Sequence, residues 1–170
     1  LHGYFDDKIT DEIIASKGRA DIVTAFNVFA HADDLKSIAQ NVFKVLKDSG
    51  IFIIEVQYLL DTIKDLTFDN IYHEHVNYWS VHTLQFFCHS LDLQLVKVEH
   101  VNTHGGSIRA FISAKKEAET DSSVEDFIAR EKQFGLDDFS TLKQFASSVN
   151  DLKNTTKNKV EELKSQGKSI

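Results

Sequence analysis

Apolar positions along the first two thirds of the chain come in short bursts, and their spacing changes from burst to burst. Ile9, Ile13, Ile14 and Ala15 recur at helical spacing between Asp7 and Ser16, and Gly18 marks the end of that helix. Asp21 to Phe26 (DIVTAF) is a short apolar run that reads as a buried strand. Leu35, Ile38, Ala39, Val42, Phe43, Val45 and Leu46 form a helical stripe, which Asp33 can cap and Asp48-Ser49-Gly50 can stop. Ile51 to Val56 (IFIIEV) is a second buried strand. Strand, helix and strand with short links make a βαβ unit, so the two strands are expected to be parallel. A helical turn or two follows Gln57 through Asp65. Ser80 can cap a helix carrying Val81, Leu84, Phe87, Cys88 and Leu91. Leu93 to His100 alternates as a strand does, as does Ser107 to Ala114, and the Gly105-Gly106 turn between them predicts an antiparallel pair. Beyond Lys115 the pattern turns charged and helical. From Ser140 onward Leu142, Phe145, Val149, Leu152, Thr156 and Leu163 follow near-heptad spacing. This predicts one long amphipathic helix ending near Gly167, in which Thr156 and Lys159 weaken any coiled-coil seam.

Composition narrows the class. The 170 residues suffice for one domain with a core, or a small domain with an appendage. A net charge of −7 argues against binding nucleic acid through its phosphates. One cysteine, Cys88, excludes an internal disulfide and points to a reducing, cytoplasmic setting. No apolar run approaches the roughly 18 residues of a membrane span. The 13 phenylalanines read as core material.

Chemistry concentrates in two clusters. Tyr72-His73-Glu74-His75 offers groups that exchange a proton near neutral pH. If that segment is extended, His73 and His75 share one face and Tyr72 and Glu74 the other. The second cluster, His104-Gly105-Gly106-Ser107-Ile108-Arg109, combines a glycine turn with a serine and an arginine, groups suited to an oxyanion or a phosphate. Parallel α/β strands place ligands at their carboxyl ends, where Asn27, His31, Glu55, Gln57 and Tyr58 fall. Each group has a plain alternative: a solvated loop for the histidine run, a hairpin turn for the glycines, helix capping for Asn27 and His31. Glu55 is the hardest to dismiss, because a carboxylate inside an apolar strand needs a partner. A metal site is a competing reading, with His73 and His75 as an His-x-His pair and His31 or His104 as third ligand. His82 and His89 lie about 10 Å apart on a helix, too far to share one ion.

Asn27-Val28-Phe29-Ala30-His31, Glu55-Val56-Gln57-Tyr58-Leu59, Phe68-Asp69-x-Ile71-Tyr72-His73-Glu74-His75 and His104-Gly105-Gly106-Ser107-x-Arg109 stand in an order and at spacings that resemble one family. These are the S-adenosylmethionine-dependent C-methyltransferases that act on nucleotide-linked 4-keto-deoxysugars. The resemblance implies an α/β fold, a partial Rossmann-like sheet of two parallel strands plus an antiparallel pair with a C-terminal helical segment. It divides the chain into residues 1–115, the second half of a methyltransferase domain, and residues 116–170, a helical connector. It implies S-adenosylmethionine as cofactor and a nucleotide sugar as substrate, enolised by a base before it takes the methyl group. By the same resemblance His75 is the base, and Glu74 orients or charge-balances it. Tyr72 and His31 line the sugar pocket and donate to the keto oxygen. Asn27 and Phe29 lie near the cofactor, and Glu55, Gln57, Tyr58, His73, His104, Ser107 and Arg109 contact the substrate. The family's glycine-rich loop and zinc module are not among these residues, so the chain reads as part of an enzyme. Its Asp21–Phe26 edge, or its long last helix, is expected to support self-association. A noncatalytic interaction module using residues 140–166 is the remaining alternative.

Overall fold

The computed structural model describes residues 2–115 and 117–170. Leu1 and Lys116, which bound the two segments read from the sequence, lie outside the described residues. The elements are α1 (Asp7–Lys17), β1 (Ala20–Phe26), α2 (Leu35–Val45), β2 (Leu46–Gln57), α3 (Leu59–Lys64), α4 (Val81–Ser90), β3 (Gln94–Val101), β4 (Ser107–Ser113), α5 (Ser123–Phe134) and α6 (Phe139–Ser165), with short 3-10 turns at Phe29–His31 and Phe68–Asn70. One mixed sheet of order β1-β2-β4-β3 organises them. β1 runs parallel to β2, and β4 is antiparallel to both β2 and β3.

The period of two along each strand decides which side is packed. Phe52, Ile54 and Val56 of β2 share a face with Ile108, Ala110 and Ile112 of β4 and with Leu95 and Val98 of β3, and all eight are buried. Val42 of α2, Leu84 and Cys88 of α4, and Val124 and Phe127 of α5 complete that core. Phe29 stacks on Trp79 with ring centroids 5.9 Å apart, and meets Phe52 and Phe87 edge-on. The other face carries Ile51, Ile53, Arg109 and Phe111, which are only partly covered.

Three local expectations are corrected. Asp34, not Asp33, caps α2, its side chain accepting from Ser37 N at 2.9 Å. Asp48-Ser49-Gly50 does not follow a helix stop but lies inside β2. Ala20 pairs with Leu46 and Ile22 with Ile51, so residues 47–50 bulge out of the ladder, held by Lys47 Nζ on both Asp21 carboxylate oxygens at 2.8 Å. β1 is not buried: Ile22 is 60% exposed and Phe26 44%, because β1 is the edge strand. α6 is the long helix expected, but none of its residues is buried and only its first turns approach α3. Among the described residues no helix is long and apolar enough to cross a membrane.

Candidate active site

The carboxyl ends of β1 and β2 open onto the loop that carries the histidine run. Asn27, just past β1, adopts a left-handed backbone (φ 54°) and donates its N–H to the Glu55 carbonyl at 3.0 Å, tying the two strand ends together. The histidine loop is stitched over this point. Val76 and Asn77 both donate backbone N–H to the Ala30 carbonyl at 3.2 Å, and the Asn77 side chain donates to the Ala32 carbonyl at 2.9 Å. Residues over 40 positions apart in sequence are thereby fixed side by side.

The loop is a turn, not an extended segment. His75 N donates to the Tyr72 carbonyl at 3.0 Å, which brings these two side chains to the same side, contrary to the alternation expected of a strand. Their rings lie 4.3 Å apart, and Tyr72 Oη is 3.1 Å from His75 Nε2. His75 Nδ1 is 2.8 Å from the Asn70 carbonyl. A carbonyl only accepts, so Nδ1 carries the proton. In the neutral ring Nε2 is then the lone-pair nitrogen, and the Tyr72 hydroxyl donates to it. His75 is buried and Tyr72 is 42% exposed, so the phenol is the end of this pair that meets solvent. His31 packs edge-on against His75 at 4.7 Å and donates Nδ1–H to the Glu74 carbonyl at 3.0 Å. The arrangement suits a base whose proton path runs through a phenol, with a second imidazole alongside.

Other residues singled out from the sequence are placed differently. Glu74 contributes its carbonyl to this cluster; its side chain and that of His73 are exposed. Phe29 is a core ring, 1% exposed, and is not available to contact a cofactor directly. Glu55 has found the partner its burial demanded: Arg109, its cross-strand neighbour, places Nη2 at 2.8 Å and Nε at 3.3 Å from Oε2. The Thr103 hydroxyl donates to Oε1 at 3.1 Å. Arg109 also lies over the Phe26 ring at 5.3 Å. Ser107 is fully buried and donates to the Thr103 carbonyl at 3.1 Å. Ser107 thus spends its hydroxyl on the backbone, and Arg109 turns Nε and Nη2 to Glu55. His104 is exposed, and its carbonyl accepts from the Asn70 side chain at 3.2 Å. Gln57 pairs with Ser107 in the sheet. Among the described residues no three His, Cys, Asp or Glu side chains converge as metal ligands.

One pair was missed. Asp61 of α3 is buried, and His100 at the end of β3 places Nε2 2.6 Å from its Oδ2. Asp61 also sits so close beneath Gly106 (φ 110°) that any Cβ there would collide with its carboxylate. The signal available in the sequence was a carboxylate among the apolar residues of Leu59-Leu60-Asp61-Thr62-Ile63. Tyr58 sits beside this pair with its hydroxyl buried; burial first, then the carboxylates of Glu131 and Asp61, push its ionisation far above the ordinary phenol range.

A mixed four-stranded sheet with helices packed on it, and a polar cluster at the carboxyl ends of its two parallel strands, define an α/β domain. Residues 2–98 match the methyltransferase domain family, and the chain belongs to that family. Residues 102–170 match the C-methyltransferase C-terminal domain. The chain is 30% identical over 167 residues to the C-methyltransferase NovU of Streptomyces niveus, an overlap of 98% of this chain and 40% of that protein. It thus spans less than half the length of this relative. Among solved structures it resembles a SAM-dependent methyltransferase from Anabaena variabilis ATCC 29413, with a TM-score of 0.47 and 11% identity over 68% of this chain and 57% of that one. It also resembles the magnesium protoporphyrin IX methyltransferase ChlM of Synechocystis PCC 6803, solved with bound SAH, with a TM-score of 0.42 and 8% identity over 56% and 45%.

Proposed function

We propose that this chain carries the acid–base half of an S-adenosylmethionine-dependent C-methyltransferase whose substrate is a nucleotide-linked 4-keto-deoxysugar. The observation that carries the reading is the Tyr72–His75 pair. Carbon methylation next to a ketone begins with removal of a weakly acidic C–H proton, which needs a neutral base held in one tautomer and shielded from bulk water. His75 meets both needs, because the Asn70 carbonyl fixes the proton on Nδ1 and leaves Nε2 basic. Tyr72 delivers that basicity to the exposed side of the pair. Because the Glu74 carbonyl takes the His31 Nδ1–H, the His31 ring beside it donates to the developing enolate oxygen through Nε2–H only when it is protonated.

The cofactor fits one feature of this chain. Asn27 Oδ1 is buried at the carboxyl end of β1 with no hydrogen-bond partner among the described residues, an acceptor in want of a donor such as the cofactor's amino group. When bound, S-adenosylmethionine supplies an electrophilic methyl group. The chain's own residues abstract and store the proton. Glu74 takes part through its backbone carbonyl, which orients His31. Association of two copies through the β1 edge belongs to the same reading.

The test is deuterium wash-in at the carbon next to the substrate ketone, measured by mass spectrometry on the complete protein that contains this chain. His75→Asn is expected to slow exchange by about 10²–10⁴-fold, the range of a positioned general base. Tyr72→Phe is expected to slow it as well, since it removes the phenol through which the buried Nε2 is reached. Exchange at the unaltered rate in His75→Asn would remove His75 from the role of base.

A further inference from the structure

The proposed chemistry draws on the histidine run and leaves the glycine turn at His104–Ser107 without a task. That turn lies beside the Phe68–Ile71 stretch, which carries the carbonyl acceptor of His75. Phe68, Asp69 and Ile71 are exposed, and Asn70 is half-buried. Burial of apolar surface therefore does little to hold this stretch, and its hydrogen bonds set where it lies. Among the described residues, Asn70 provides the one side-chain bond by which the stretch reaches another element: Nδ2 donates to the His104 carbonyl at 3.2 Å. The carbonyl of the same residue accepts Nδ1–H of His75 at 2.8 Å. One residue thus joins the glycine turn to the imidazole.

The turn is a firm place to rest on. His104, Gly105 and Gly106 all have positive φ, at 50°, 79° and 110°. His104 takes that left-handed shape without being a glycine, so its surroundings must hold it there. Gly106 N donates to the Thr103 carbonyl at 2.9 Å, and the Gly106 carbonyl accepts from Tyr58 N at 3.1 Å. Ser107 Oγ donates to the Thr103 carbonyl as well. Beneath Gly106 the Asp61 carboxylate, paired with His100, fills the space a Cβ would need. The turn also packs against the histidine loop. A Cβ on Gly105 would come within 3.1 Å of Thr67 Cγ2 and 3.6 Å of Asn70 Nδ2, and the Thr67 carbonyl accepts the Asn70 N–H at 3.1 Å.

We propose that Asn70, seated on the His104 carbonyl of the glycine turn, is a positioning residue that holds His75 in its Nδ1–H tautomer. Releasing the Asn70 side chain frees the carbonyl that selects this tautomer. With that acceptor displaced, Nε2 carries the proton part of the time and then has no lone pair to offer. The catalytic meaning of this support rests on the function proposed above; the tautomer can be read without it.

The experiment labels the histidines of the complete protein with ¹⁵N and reads the His75 ring by two-bond ¹H–¹⁵N correlation at pH 8, where an ordinary imidazole is neutral. Loss of signal in His75→Asn assigns the ring. Wild type is compared with Asn70→Ala, Asn70→Asp and Gly105→Ala. Asn70→Asp keeps the size of the side chain and removes the donor. Gly105→Ala, strained at φ 79° and crowding Thr67, disturbs the turn while leaving the sequence of the histidine loop intact. In wild type Nδ1 is expected to be the protonated nitrogen. In all three variants the shifts of the two ring nitrogens are expected to converge as the tautomers mix. Deuterium wash-in is expected to slow by about 10–100-fold with half-saturation by substrate unchanged, as for a misplaced base. A wild-type tautomer in Asn70→Asp or in Gly105→Ala overturns the proposal, whatever happens to thermal stability. So does a wild-type protein whose Nδ1 is unprotonated. If the tautomers mix in the variants while His75→Asn exchanges deuterium at the unaltered rate, the positioning stands and the assignment of the base falls.

Discussion

Cys88 sits on the inner face of α4 with no exposed surface, and burial pushes its thiol up to about 12 from an ordinary value of 9.0. The thiolate, not the thiol, is the reactive form, so native protein is expected to resist a thiol reagent at pH 8, and denatured protein to react at once. A colorimetric thiol assay with and without denaturant checks this; rapid labelling of the folded chain would contradict the packing of α4. The same shift has a stability consequence. Between about pH 9 and 12 the unfolded chain gives up this proton and the folded chain keeps it, so the stabilisation present below pH 9 is lost as pH rises through that window. His75 shows the opposite use of burial at the residue scale. Its partners are polar on both nitrogens, so burial there selects a tautomer.

At the scale of elements, α4 shows how far a cap can travel along a sequence. Its N-terminus carries a local capping box, in which Ser80 and Thr83 satisfy each other's backbone N–H groups. Two more N–H groups, those of Val81 and His82, donate to Glu131 of α5 at 2.6 and 3.0 Å, from a residue 50 and 49 positions later. The helix dipole favours an anion there, and the carboxylate is buried. Glu131→Ala is expected to destabilise the fold by about 2–3 kcal/mol, because one buried and one partly buried donor lose a charged acceptor. Glu131→Gln, which retains one acceptor oxygen, is expected to cost less. Chemical denaturation of the two variants checks both the size and the order. Ser80 was legible in the sequence because a cap acts within three residues. Glu131 was not, because nothing within α5 says which helix it will meet.

At the scale of the whole molecule, the sheet is packed on one side and ends in an unpaired strand. Among the described residues β1 is an edge strand, with Ile22 and Phe26 on it and Val28 just beyond it 60%, 44% and 59% exposed. Such an edge is a template for another strand. In analytical ultracentrifugation this chain is expected to sediment as a dimer or larger species, and Ile22→Lys is expected to shift it toward monomer. A monomeric wild-type chain would rule out pairing through this edge. No residue of the long helix α6 is buried, and its contact with α3 leaves its heptad-like positions exposed or half-buried.

The sequence by itself determined the strands, the helices and their order, because the periods of 2 and 3.6 and the N-caps are local. The antiparallel β3–β4 pair was readable from the two glycines between them, and the parallel β1–β2 pair from the link that joins them. The histidine run, too, was recognisable as a concentration of proton-exchanging groups. Only the tertiary structure decided which side chains act together. It turned the Tyr72–His75 segment, so that two residues expected on opposite faces became a pair. It also matched Glu55 with Arg109 on the neighbouring strand, 54 residues away, and placed Asp61 against His100 from 39 residues away. Pairings at that range depend on the register of the sheet and on the seating of helices upon it. Both are set by burial of the whole apolar face at once and leave no periodic mark near the residues they join.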